Sequence, residues 1–434
     1  MPPFLQQTFV DHFEALDSAH PFYARRKQAW EDFKEQGLPA FKDEAYKYTP
    51  IAKLLAAHFD ASQPAKLVQT PSEEFTAVCY HDMDAYHIVL RNGQLSNKHT
   101  NFEGHERFIQ VLTFQDAYQQ QQRAFLEHFA QHAQSKASAF VALNTALFEG
   151  GLFIHIADHA ILDKPLLLYH YDTAWSTYQQ PMTYPRLLVV AGKYSQASII
   201  TSWQTMGFTN AVAEVVLQES AQLDYYTLQT KMGAQNHQIN TTQCHQAQKS
   251  KLNTYTLTWS GALVRNNLNI IIDAPYSETN MYGLYCLRGR QHVDNCTMVD
   301  HRQPHTYSNE LYKGIMMGES TGVFNGRIYV RPEAQKTSAL QTNNNLVLSS
   351  SATLYTKPQL EIWADDVKCS HGATTGQLDE EQIFYLRTRG LHEDTARYLL
   401  QRAFSDEVIN KIPLATLRTQ LHNSLTNQEN QRMV

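Results

Sequence analysis

The densest chemistry-bearing run in this 434-residue chain is Asp365-Asp366-Val367-Lys368-Cys369-Ser370-His371. Residues two apart in a strand point to the same side, so Cys369 and His371 are expected to share a face with Val367 and Asp365. A thiol and an imidazole side by side offer a soft sulfur and a borderline nitrogen to iron, copper or zinc. Two ligands fall short of a tetrahedral set, so a metal there would need ligands from elsewhere, a second subunit included. Two other readings stand beside that one. Imidazole can activate a thiolate as a nucleophile, although no oxyanion device is recognisable nearby. A small buried cysteine beside a hydrogen-bonded histidine would serve structure alone.

The rest of the sequence mostly excludes chemistry. Twenty histidines are largely isolated, as at His12, His58 and His237. His301 and His305 are closer, but Pro304 works against a helical i, i+4 pair, and the segment reads as a polar corner. GESTGVFNG (318–326) is glycine-rich without the lysine of a P-loop, so a turn is expected and no ATPase motif is present. HExxH is absent, and no four cysteines are spaced to hold an iron–sulfur cluster within the chain. Cys79, Cys244, Cys286, Cys296 and Cys369 form no CxxC pair and are odd in number, which fits a reducing cytoplasm. A formal charge of −6, with no run of five like charges, argues against nucleic-acid binding. The opening MPPFLQQTFVDHFEALDS lacks a basic segment before an apolar one, so no secretory signal is expected. Nor does any stretch approach the ~18 apolar residues of a membrane span.

The elements that must position Cys369 and His371 fall into three regions, 1–150, 151–375 and 376–434. With 43% hydrophobic and 18% charged residues there is ample core material. In the first region Phe9, Phe13 and Leu16, then Arg25, Ala29 and Phe33, recur at helical intervals before a Gly37-Leu38-Pro39 stop. Thr49-Pro50 starts a further helix at Ile51. Short strands and loops follow to about residue 105, among them His87-Ile88-Val89-Leu90. The Gln-rich stretch from Tyr118 to Lys136 reads as a polar surface helix leading to Phe140–Asn144 and a Gly150-Gly151 turn.

From about Gly151 to Cys369 short strands rich in Val, Ile, Thr and Tyr take over, including Leu187–Val190, Ala213–Leu217, Ile270–Ile272 and Leu346–Leu348. They restart near residues 186, 212, 237, 263, 292, 320 and 346, a loose period within the range of solenoids and propellers. A parallel β-helix is the preferred fold, because one such coil cannot bury its inner face without its neighbours. A sandwich or propeller is the alternative. Asn343-Asn344-Asn345 and Ser349-Ser350-Ser351 are assigned to tight corners, with stacked side chains satisfying one another between rungs.

After Gly376 helical patterns return. Gln382, Ile383, Leu386 and Arg387 end at Gly390, and Ala396, Leu399, Leu400, Ala403 and Phe404 form a second apolar face. Ser405 and Asp406 are expected to cap a third helix bearing Val408, Ile409 and Ile412, and Leu414, Leu417, Leu421 and Leu425 extend the pattern. On pattern alone these helices are assigned to cap the open solenoid end, with a docking face as the alternative.

The run Asp366–Gly376, followed by Leu378–Gly390, resembles the C-terminal signature of SufD proteins. The sister family SufB carries an E-H-E-A-T-type run where this chain has Cys369–Thr374. Glu44-Ala45-Tyr46-Lys47-Tyr48-Thr49 resembles the family's E-x-W-K-Y-T motif, with Tyr46 in place of the tryptophan. Ala142-Leu143-Asn144 before a glycine turn is a third match. The resemblance implies a right-handed parallel β-helix core flanked by N-terminal and C-terminal helical domains. It implies a non-enzymatic scaffold in a cytoplasmic SufBCD complex for iron–sulfur cluster assembly. A SufB-like subunit would pair with the end of the β-helix, and a SufC-like ATPase would dock on residues 379–412 and supply the ATP site. His371 would be a ligand or proton-handling group at the SufB interface, with Cys369 its neighbour. A transient cluster would form there, while the chain alone would hold no cofactor stably. Without its partner the same end could pair with itself as a homodimer. Two rivals remain, a purely structural scaffold and a carbohydrate-active β-helix enzyme. The latter would need paired carboxylates on one face, for which Asp294, Asp300 and Glu310 are candidates.

Overall fold

The computed structural model describes residues 3–40, 42–58, 83–96, 100–101, 107–148, 150–172 and 182–430. Cys79 and most of the 61–105 region lie outside the described residues. Alternating β-rich segments form a two-sheet parallel solenoid. Its first sheet runs through Tyr86–Arg91, Leu166–Tyr171, Gln196–Gln204, Gln222–Gln229, Lys251–Thr258, Glu278–Leu287, Tyr307–Met316, Ser338–Val347 and Lys368–Gly376. Its second runs through Leu152–Ile156, Arg186–Ala191, Phe208–Leu217, His237–Gln246, Leu263–Ile272, His292–His301, Thr321–Val330 and Thr353–Ile362. Each coil thus holds two long strands, one per sheet, rather than several short ones.

Register is kept from coil to coil. Phe208, His237, Leu263, His292, Thr321 and Thr353 stand in one column. The restarts expected near 186, 237, 263, 292 and 320 coincide with strands of the second sheet. The one near 346 falls instead at the end of a first-sheet strand, because the last coil is longer. In every coil but the last, passage from the second sheet to the first uses one left-handed residue: His159, Tyr194, Ser220, Lys249, Tyr276, His305 and Lys336, with φ from 56° to 63°. Such a conformation costs a non-glycine residue about 1 kcal/mol, and stacking of the flanking strands holds it.

Inward-facing residues fill the lumen. Val215, Cys244, Ile270 and Val299 make an apolar column among the buried core residues. Beside it runs an amide ladder, in which Gln229 Nε2 donates to Gln238 and Asn266 at 2.8 Å, and Asn266 Nδ2 donates to Asn295 at 3.0 Å. Pairing between rungs satisfies groups whose burial alone would be costly. Asn343–Asn345 belong to this interior, within strand Ser338–Val347 and not at a corner. Asn343 and Asn345 point inward and bond each other at 2.7 Å, whereas Asn344 faces out and accepts from Thr374 at 2.8 Å. Ser349–Ser351 do form the following turn. Of GESTGVFNG only the start is a turn, at left-handed Gly318, and the rest is strand Thr321–Val330.

The chain's two ends cover the outer faces. Helices Pro3–Glu14, Tyr23–Gln36, Ile51–His58 and Ala139–Leu147 bury Phe9, Phe33, Ile51 and Phe140 against Phe208, Ile239 and Leu263 of the second sheet. The Gln-rich stretch is not one polar surface helix. It breaks at left-handed Gln121 and Ala130, and its Phe125 and Phe129 enter an aromatic cluster with Phe22, Phe114 and Phe148. Burying those rings outweighs the helical preference of the glutamines.

At the other end, helix Glu380–Thr388 stops at left-handed Gly390. Helix Glu393–Ile409 runs straight through Ser405, whose hydroxyl donates back to the Gln401 carbonyl at 3.0 Å, so no third helix starts there. Helix Ala415–Asn430 completes the set. Val408, Ile409, Ile412, Leu417 and Leu421 pack on Tyr255, Leu257, Leu284 and Ile315 along the outer wall of the first sheet. The helices therefore do not cap the solenoid end. The sheet's outer wall is itself apolar, and burying it is worth more than covering two strand edges.

Candidate functional site

The last rung consists of Thr353–Ile362 and Lys368–Gly376, the terminal strands of the two sheets. Lys368–Gly376 is exposed along almost its whole length. Register stacks Cys369 on Ala339, His371 on Gln341 and Ala373 on Asn343. The lower three are buried and inward-facing, so Cys369 and His371 share the inner face, as the spacing predicts. Cys369 packs beside Val367 against Ile328, Val330, Ala339 and Ala364, and burial pushes its thiol pKa up. That environment disfavours a free thiolate nucleophile. His371 is exposed at the rim of the lumen.

Beneath the rim the lumen is filled. Tyr285 donates to Asn345 Oδ1 at 2.6 Å, and Thr356 donates to Asn343 Oδ1 at 2.9 Å, joining the two sheets. Glu310 lies in the same column as His371, two rungs down, 1% exposed, and accepts from Gln341 Nε2 at 2.7 Å. Burial raises its pKa to about 7. Pattern reading missed Gln341 and offered Glu310 as a partner of Asp294 and Asp300 on one face. The signal for both is the strand register, one coil apart.

The other expected candidates are dispersed. His301 is buried at a corner, bonded to Thr306 at 2.8 Å and Ser308 at 2.9 Å, and His305 stacks on Tyr276. Asp294 and Asp300 lie on the outer face of the second sheet, held by Arg265 and by Arg302 and Arg331, while Glu310 is inside. These three carboxylates never face one cleft, which removes the basis for a glycan-cleaving pair. Cys244 is in the lumen, Cys286 lies under the C-terminal helices, and Cys296 faces outward near Arg265. No three His, Cys, Asp or Glu side chains gather to hold a metal among the described residues.

The Glu44–Thr49 segment straps the second sheet. Arg265 sits over the Tyr46 ring at 3.9 Å, so a flat aromatic face serves there. Thr49 donates to Asp294 at 2.5 Å, Tyr48 stacks on Tyr355 at 4.0 Å, and Lys357 pairs with Glu44 at 2.5 Å. The strap thereby reaches the last rung. On the opposite wall, helix Glu380–Thr388 buries Ile383 but leaves Phe384 and Tyr385 69% and 56% exposed. No helix of the described residues is long and apolar enough to cross a membrane.

The fold is thus a parallel solenoid walled by its own helices, with its last rung exposed. Two family models match it: the SufBD core domain of the SUF system for FeS cluster assembly covers residues 174–404, and the SufBD N-terminal region covers 6–168. The chain belongs to the SufBD family of iron–sulfur cluster assembly proteins and is a homologue of SufD. It is 32% identical over 396 residues to an iron-sulfur cluster assembly SufBD family protein of Synechocystis sp., spanning 88% of this chain and 86% of that protein. It is 28% identical over 393 residues to the iron-sulfur cluster assembly protein SufD of Escherichia coli K12, spanning 89% and 88%. A chloroplastic protein of Arabidopsis thaliana, ABCI7, is 31% identical over 281 residues, 63% of this chain and 59% of that protein.

Proposed function

We propose that this chain is a non-ATPase, non-enzymatic scaffold of a cytoplasmic Suf complex, pairing through its open rung with a SufB-like subunit to form a shared cluster-assembly site. The carrying observation is that rung itself, an exposed strand presenting Cys369 and His371 on one face. Its backbone is suited to pairing. Lys368 N–H bonds inward to Thr337, so by alternation the N–H groups of Cys369, His371, Ala373 and Thr375 face the open edge. The neighbouring edge is blunted, because Thr353 bonds inward and Pro358 places its missing N–H on the open side. Strand addition along Lys368–Gly376 would bring a partner's ligands to a sulfur and a nitrogen that are too few alone.

His371, with Cys369 second, is the group this chain offers to the nascent cluster, and the partner supplies the remaining thiolates. Phe384 and Tyr385 are an apolar pair on the face assigned to a SufC-like ATPase, which brings the ATP site this sequence lacks. Without the partner, the same edge pairs with a second copy of itself. The test is co-purification with SufB-like and SufC-like proteins, then iron and sulfide analysis of wild type and His371→Ala. Loss of iron and sulfide with the complex intact is expected. Unchanged content in an intact complex would leave a structural scaffold, and ATP hydrolysis by the chain alone would sink the proposal.

A further inference from the structure

Met281, Glu310, Gln341 and His371 occupy successive rungs of one inward column of the first sheet. Gln341 is 1% exposed and donates Nε2 to Glu310 Oε2 at 2.7 Å. With Nε2 bonded to Glu310 Oε2, the amide turns its nitrogen down and its oxygen up. That oxygen, Gln341 Oε1, is buried with no hydrogen-bond partner among the described residues. A buried amide oxygen left unpaired is unfavourable.

The amide has been given room to lie this way. A Cβ on Gly326, on the opposite sheet, would strike Gln341 Nε2 and come within 3.0 Å of its Cδ. His371 stands one rung above in the same column, exposed, and its ring makes no hydrogen bond among the described residues. Paired strands are about 4.8 Å apart, within reach of an imidazole N–H pointing down. We propose that Gln341, locked by Glu310, accepts the inward N–H of His371, fixing its tautomer and aiming the other ring nitrogen out of the lumen. Ligand histidines are commonly oriented this way by a carbonyl behind them. Gln341 and Glu310 are positioning residues, and their use for a cluster rests on the function proposed for His371.

The test uses the full chain labelled with 15N-histidine, with the exposed His371→Ala variant assigning the ring signals. Two-bond 1H–15N correlation should show His371 as one dominant tautomer in wild type. In Gln341→Met the ring should revert to the averaged pattern of a free imidazole, with the thermal melt confirming a folded chain. Gln341→Leu replaces it if the methionine variant does not fold. A free-imidazole pattern in wild type, or a tautomer unmoved by removing Gln341, would overturn the inference. These spectra are independent of cluster content: a locked tautomer with iron and sulfide unchanged in His371→Ala would refute the ligand role while leaving the positioning intact.

Discussion

At its N-terminal end the solenoid closes with Gln94–Leu95 and Ile109–Thr113, each added antiparallel to a parallel sheet, whereas at its C-terminal end two parallel strands stand bare. The closed end is also tied down by charge. Arg186 and Glu214, both fully buried, meet at 2.7 Å, and Glu214 also accepts the N–H groups of Ala130, His132 and Ala133. The open end instead carries exposed ion pairs, such as Lys336–Asp366, of the kind worth little. Buried charge holds the closed end together, whereas the open end leaves the backbone edges of its last two strands unpaired.

The sharpest way to break this contrast is Glu214→Ala. It strands a buried guanidinium and three amides, and should cost about 3–5 kcal/mol in urea unfolding of the chain. A loss below about 1 kcal/mol would mean that the closed end is not held by this pair. Glu310→Gln comes next. The folded carboxyl has a pKa near 7, raised from 4.5 by burial, so the folded chain keeps a proton that the unfolded chain has released. Glu310 therefore lowers stability as pH rises from about 4.5 to 7, by a limit on the order of 3 kcal/mol. The variant should be more stable above pH 7 and little changed near pH 4.5, as read from urea midpoints. Buried Asp172, also raised to about 7, leaves a residual slope of the same sign.

Phe384→Ala with Tyr385→Ala should leave the chain's melt unchanged while weakening ATPase binding by about 2 kcal/mol in calorimetry. Ala373→Pro removes an N–H only from the open edge. Pairing with the SufB-like subunit should fall at least about tenfold while the isolated chain keeps its fold. Smallest of all, His371→Ala should change the stability of the isolated chain by less than about 0.5 kcal/mol. A larger loss would place His371 in the structure and undercut its assignment to the rim.

Much of the solenoid was legible because a coil-length period survives in the strand starts at 186, 237, 263 and 292. Apart from the polar corner at His301–His305 and the turn at Ser349–Ser351, its corners were not, since the left-handed positions are Tyr, Ser, Lys and His and carry no glycine signal. The asparagine run misled for a related reason. Asn343 and Asn345 look like turn residues and are accepted in a strand only because adjacent rungs supply their hydrogen bonds. Ser405 and Asp406 offered a cap that the helix bypassed in favour of burying Val408 and Ile409.

The sequence by itself determined the family signature, the missing P-loop and the shared face of Cys369 and His371, because each rests on spacing within one strand or motif. Only the tertiary structure decided that the C-terminal helices lie on the wall and not over the end, that Glu310 is inside while Asp294 and Asp300 are outside, and that Gln341 stands beneath His371. Those placements depend on register between coils about thirty residues apart. That register is set by which apolar faces the whole molecule can bury together, not by any local run of residues.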